Sequence, residues 1–131
     1  MRHVALVLLI ATGLLGLEGC ARSAEKSASV SSSELLSWMD QGRGSLVLDV
    51  RSPEEYASGH VPGAVNIPYA ELPDRISELG GPSAEVVVYC ESGRRAGVAE
   101  EVLRQAGFSR VLHLEGDMGA WREQGLPCTG C

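Results

Sequence analysis

From about Val30 onward, short apolar runs alternate with stretches whose apolar residues return at helical spacing. Leu46-Val47-Leu48-Asp49-Val50, Glu85 to Tyr89 and Arg110 to Leu114 read as buried strands, and Val61 to Ile67 leads into a shorter one. Leu35, Leu36, Trp38 and Met39 predict a first helix, opened by a Ser31/Glu34 capping box and ended by Gly42 and Gly44. Ser52-Pro53-Glu54-Glu55 supplies an N-cap, a proline for the first turn and two acids, a short helix that stops at Gly59. Tyr69 to Leu79 predicts one helix with Leu72, Ile76 and Leu79 on one side; Arg95 to Ala106 and Met118 to Gln124 predict two more. Strands alternating with helices predict an α/β fold, a central parallel sheet covered by helices on both faces. Ligands of such sheets bind beyond the carboxyl ends of the strands.

The chain before residue 30 follows a different pattern. Met1-Arg2-His3 is a short basic region and Val4 to Leu17 an apolar run of fourteen residues, too short to span a bilayer comfortably. Leu17-Glu18-Gly19-Cys20 resembles a bacterial lipoprotein box, with Glu18 departing from the small or apolar residue usual there. That resemblance implies a signal peptide over residues 1–19 and a lipid on Cys20, anchoring the protein on the periplasmic face of a membrane. Cleavage after Ala21, giving a soluble periplasmic protein, and an uncleaved anchor are the alternatives. Residues 20–29 read as a Ser/Ala-rich tether, 30–127 as one domain and 128–131 as a tail.

Composition narrows the partners. The net charge is -6, from eleven Lys+Arg against seventeen Asp+Glu. No basic stripe interleaved with aromatics appears, which argues against nucleic acid. Ten of the eleven cations are arginines, and no function follows from that bias.

The chemistry concentrates in Cys90-Glu91-Ser92-Gly93-Arg94-Arg95-Ala96, directly after the strand Val86-Val87-Val88-Tyr89. A thiol between a strand end and a helix start meets converging backbone N–H groups, guanidinium charge and the positive end of a helix dipole. Each of these favours the thiolate, the nucleophilic form, and the same cradle holds an anion. Gly93 leaves the backbone free to turn its N–H groups toward the sulfur. Glu91 opposes both effects, since a carboxylate beside the nucleophile disfavours ionisation and repels anionic donors. Replacing it by arginine is therefore expected to improve the handling of an anionic donor.

At this point the chain resembles the single-domain rhodanese sulfurtransferases. The Cys90 segment matches their C-x-x-G-x-R-[SA] loop. Asp49-Val50-Arg51, Glu55-Tyr56 and Gly59-His60-Val61-Pro62-Gly63-Ala64-Val65-Asn66-Ile67-Pro68 match the upstream signatures. Leu114-Glu115-Gly116, Ala120-Trp121 and Gly125-Leu126-Pro127 are similar to the usual L-x-G-G…W…G-L-P ending, with Asp117 in place of the second glycine. The resemblance implies a three-layer rhodanese-like domain. It also implies a Cys90 persulfide that moves sulfane sulfur from thiosulfate or polysulfide to cyanide or a thiol, a small molecule or one carried by a protein. Arg95 would ligand the donor anion or the persulfide charge, Glu91, Ser92, Gly93, Arg94 and Ala96 would complete the loop, and Asp49 and Arg51 would support it. Neither a cofactor nor a metal is implied.

Two rival functions remain. A phosphatase or arsenate reductase of this fold uses five residues between cysteine and arginine, whereas four separate Cys90 from Arg95. A non-catalytic persulfide carrier is not separable from the enzyme by sequence. His60, His113 and Trp121 read as fold residues, and Asp117 as a harmless replacement suited to left-handed dihedrals. Cys128-Thr129-Gly130-Cys131 reads as a local disulfide, with a sulfur relay from Cys90 as the alternative. Removing that tail is expected to take away no structural element.

Overall fold

The computed structural model describes residues 28–131, so the signal peptide, Cys20 and nearly all of the tether lie outside the described residues. Five strands form one parallel sheet: β1 (Ser29–Val30), β2 (Leu46–Asp49), β3 (Val65–Asn66), β4 (Glu85–Tyr89) and β5 (Arg110–Leu114). Their order across the sheet is β1-β5-β4-β2-β3. The helices are α1 (Ser32–Asp40), α2 (Pro53–Ala57), α3 (Leu72–Arg75), α4 (Arg94–Gln105) and α5 (Asp117–Glu123).

The chain moves outward from β2 to β3 on one side, then from β4 to β5 on the other. The strand order therefore reverses between β2 and β4, where such sheets open their crevice. Register places Asp49 beside Tyr89, and the Val50 amide donates to the Tyr89 carbonyl at 3.1 Å. The segments leaving these two strands, Val50-Arg51 and Cys90-Glu91, thus emerge side by side.

Apolar residues on successive positions feed two cores, as a sheet buried on both faces requires. Leu48, Val86, Val88 and Cys90 pack with Ala96, Ala99 and Leu103 of α4. Val47, Val87 and Tyr89 pack on the other face with Leu35 of α1 and Met118 and Trp121 of α5.

Local signals act as expected at α2, whereas at α1 only the Ser31 arm of the expected capping box forms. The Ser31 hydroxyl accepts the Glu34 amide at 3.2 Å, and Ser52 and Glu55 make both arms of a capping box. The single helix expected over Tyr69–Leu79 is a correction: α3 starts only at Leu72 and gives way to a 3-10 turn at Ile76–Leu79. Pro73 has no amide hydrogen and fits only the first turn of a helix, so the helix cannot start at Tyr69. The apolar side is nevertheless as expected, with Leu72 and Leu79 buried.

The tail carries the expected disulfide, but the expectation that it forms no structural element is corrected. Thr129 pairs with His60 through two backbone hydrogen bonds, of 3.0 and 2.9 Å, and Cys128 and Cys131 form a disulfide. Just before it, the Trp121 indole donates to the Pro127 carbonyl at 2.8 Å. The disulfide lies on Gly59, at φ 141°, where a Cβ would collide with the Cys131 sulfur. Deleting residues 128–131 should therefore lower stability by about 1–2 kcal/mol, the scale of two backbone hydrogen bonds. Urea unfolding of full-length and shortened protein measures it, and equal midpoints would show the tail to be idle.

Candidate active site

Strand β4 ends by delivering Cys90 to the crevice. The side chain is only 1% exposed, and it is the free cysteine among the described residues. The chain then turns through Gly93, whose φ of 105° suits a residue without Cβ, and α4 begins at Arg94. This turn aims the Gly93 amide at the Cys90 sulfur, 3.0 Å away. An N–H donor at that distance stabilises negative charge on sulfur.

A charged network lies beneath the loop. Asp117, the first residue of α5, takes a left-handed φ of 55°. One carboxylate oxygen accepts the Cys90 amide at 3.0 Å, and the other meets His113 Nε2 at 2.9 Å. The opposite ring nitrogen of His113 bonds the Glu100 carboxylate, which also pairs with Arg104 at 3.1 Å. Asp117 and Glu100 are both buried. Hydrogen bonds to Asp117 and Glu100 raise the His113 pKa to about 10 against the opposing effect of burial. It is therefore an imidazolium at neutral pH, donating through both nitrogens. The first turn of α5 holds the same loop, with the Met118 and Gly119 amides donating to the Cys90 and Glu91 carbonyls at 3.0 and 3.1 Å.

A chain of alternating charges runs along the other side. Asp49 and Arg51 form a buried pair at 2.7 Å, and Arg51 also donates to the Gly59 carbonyl at 2.7 Å and to Glu91 at 3.3 Å. Burial alone would lower the Arg51 pKa, and Asp49 more than compensates, so the guanidinium stays charged. Glu91 in turn meets Arg122 at 2.8 Å. Hydrogen bonding to Arg122, aided by Arg51, holds the Glu91 carboxyl below the usual carboxylate range. Glu91 is thus ionised but neutralised on two sides, which corrects the expectation of an unopposed negative charge beside the nucleophile.

Arg95, the arginine of the motif, is clasped by Glu55 through two bonds of 2.6 and 2.9 Å. The Arg95 hydrogen bonds hold the Glu55 carboxyl at about 2. Arg94 differs: among the described residues it has no ion-pair partner. It lines a cavity of about 380 Å³ together with Tyr69, Ser92, Arg95 and Val98.

The structure gathers Cys90 through Ala96 into one loop and the first turn of α4, with Asp49 and Arg51 reaching it through Glu91. It does not bring the tail to that sulfur. Cys128 packs with the Tyr89 and Trp121 core, whereas Cys90 belongs to the core on the opposite sheet face. Sequence reasoning missed Glu55 as the partner of Arg95, Arg122 as the partner of Glu91, and the whole Asp117–His113–Glu100 network. The signal for that network was Asp117 itself, an acid in a glycine position, with a histidine four residues before it.

Comparison with known proteins adds a family to this geometry. The family description "Rhodanese-like domain" matches residues 31–124. A sulfurtransferase of Allochromatium vinosum is 43% identical, over 63% of this chain and 76% of its own. The chloroplastic thiosulfate sulfurtransferase 16 of Arabidopsis thaliana is 38% identical, over 64% of this chain and 79% of its own. An HTH-type transcriptional regulator of Mycobacterium tuberculosis is 39% identical, and this chain spans only 51% of its length. Among solved structures, a rhodanese-related protein from Thermoplasma volcanium superposes with a TM-score of 0.70 at 30% identity, over 79% of this chain and 99% of its own.

Two outcomes follow from the charge geometry. His113 holds a proton in the folded protein that the unfolded chain releases near pH 6.5. Its stabilising contribution is therefore complete below that pH and lost as pH rises through about 10. Urea midpoints measured from pH 6 to 10 should fall less steeply in His113→Gln than in wild type, and parallel curves would refute the buried imidazolium. Glu91→Arg should reduce stability by roughly 1 kcal/mol, because it puts a guanidinium against Arg51 and Arg122. Thermal unfolding should rank wild type above Glu91→Gln and Glu91→Gln above Glu91→Arg. An arginine variant as stable as wild type would return Glu91 to its isolated reading.

Proposed function

The chain belongs to the rhodanese-like domain family, and we propose that it transfers sulfane sulfur through a persulfide on Cys90. Family membership and the sulfurtransferase-named relatives support sulfur transfer in general. The observation that carries the finer reading is the Cys90 sulfur itself. It is buried, unpaired with another cysteine, and accepts the Gly93 N–H at the mouth of the sheet.

The proposed cycle is a double displacement. The Cys90 thiolate attacks the outer sulfur of thiosulfate, the S–S bond of thiosulfate breaks, and sulfite departs with its electron pair. A polysulfide would react alike and leave as a chain one sulfur shorter. The persulfide sulfur then passes to cyanide or to a thiolate, and the electron pair of the broken bond returns to Cys90. Sulfite leaves readily without protonation, so the cycle needs no general base. Asp117 and the α5 amides hold the Cys90 backbone in place, and the Glu55–Arg95 clasp holds the start of α4 beside it.

The same proposal puts the domain outside the cytoplasm as a lipoprotein. It is supported by the basic start, the apolar run and the Leu17-to-Cys20 box of the sequence, and intact mass of the membrane-extracted protein tests it.

Cys90→Ser should abolish turnover while leaving the fold intact, because a hydroxyl neither ionises at neutral pH nor forms a persulfide. Intact mass after thiosulfate treatment should show one added sulfur on the wild type and none on the variant. Repeated thiosulfate:cyanide turnover separates an enzyme from a carrier, which would load once and stall. A serine variant that still turns over would defeat the mechanism.

A further inference from the structure

We propose that the cavity beside the Cys90 loop is a subsite for a small organic thiol carrying a carboxylate, with Arg94 selecting its charge. This rests on the persulfide reading and names the acceptor for it.

Size is the first argument. A volume of about 380 Å³ falls within the range of sites that hold organic molecules, roughly 300–1,000 Å³. Cyanide or thiosulfate would leave most of it empty. The walls give the second argument. Tyr69 is 39% and Val98 49% exposed, two of the three large apolar side chains left open among the described residues. Neither wall is loosely held: the Tyr69 amide donates to the Val50 carbonyl at 3.0 Å, and Val98 lies in α4 one turn beyond Arg94. Positions four apart on a helix share a face, so the cation and the apolar wall look the same way.

Charge is the third argument. Arg95 also lines the cavity, but Glu55 already occupies its fork. Among the described residues Arg94 has no ion-pair partner, so its guanidinium is the one on this wall with its donors uncommitted. A planar guanidinium takes a carboxylate through two parallel hydrogen bonds. The cavity therefore suits a molecule with an apolar stem and a carboxylate, and the adjoining chemistry requires it to carry a thiol.

The transfer balances without an oxidant. The acceptor thiolate attacks the outer sulfur of the Cys90 persulfide and a new S–S bond forms on the acceptor. The Cys90–sulfur bond breaks, and its electron pair restores the Cys90 thiolate. Two negative charges enter and two leave.

The test uses protein preloaded with thiosulfate and freed of excess donor. Discharge is measured against 3-mercaptopropionate, 2-mercaptoethanol and cysteamine, which are similar in size and carry negative, zero and positive charge away from the thiol. Each variant is compared with wild type for the same acceptor, which cancels differences in thiol reactivity. Arg94→Gln should raise the half-saturating concentration of 3-mercaptopropionate about three- to tenfold more than it raises that of 2-mercaptoethanol. Arg94→Glu should extend the loss and favour cysteamine, and Val98→Asp should shift preference in the same direction. Variant-to-wild-type ratios that are equal for all three thiols would overturn the subsite while leaving the persulfide intact. A wild-type protein that never gains sulfur on Cys90 would instead defeat the persulfide reading itself.

Discussion

The carboxylate of Asp117 is the acceptor on which the site depends. The Cys90 amide leaves the β4 ladder where the chain must turn, and a buried amide without an acceptor costs about 1–3 kcal/mol. Asp117 supplies that acceptor from the start of α5, and the next two amides of α5 fasten the carbonyls of Cys90 and Glu91. Loop and helix are therefore fixed as one unit. A buried acid directly under Cys90 would work against the thiolate of the proposed cycle if the acid stood alone. His113 removes the conflict, being a cation shared between Asp117 and Glu100. The position of Cys90 and the charge beneath it are thus settled by the same three side chains.

Around this centre, the site keeps its charges in pairs. Asp49, Arg51, Glu91 and Arg122 form a line from the buried end of β2 to the surface, acid and base in turn. Glu55 and Arg95 do the same across the entrance to α4. A paired arginine still lends positive potential to its neighbourhood, but its donors are occupied. The residue named by a sequence motif and the residue free to grasp a ligand need not be the same one.

Features set by neighbours in the chain were legible in the sequence; those set by distant contacts were not. The buried strands announce themselves as apolar runs, and Ser52 with Glu55 is a local hydrogen-bond pattern that needs no tertiary knowledge. The Cys90 loop is legible because a cysteine, a glycine and arginines at fixed offsets already imply a turn lined with donors. By contrast, β1 is two residues long and is a strand only because β5 lies beside it. The pairing of Asp117 with the Cys90 amide spans 27 positions of sequence. Glu91 read as a liability because Arg122, 31 positions away, becomes its neighbour only on folding. Two local clues were misjudged: Pro73, which shortens α3, and His113 four residues before Asp117.

The docked tail changes what a thiol measurement on this protein reports. Its disulfide rests on Gly59, whose carbonyl receives Arg51, and the Cys131 end is exposed. A thiol supplied as acceptor is also a reductant, so in the proposed cycle it would meet two electrophilic sulfur centres, the Cys90 persulfide and this disulfide. Loss of thiol from solution would then sum the proposed discharge and disulfide opening, and only the identity of the products would tell them apart. The oxidation state of residues far from the loop is therefore a variable of the sample, to be set before the chemistry of Cys90 is measured.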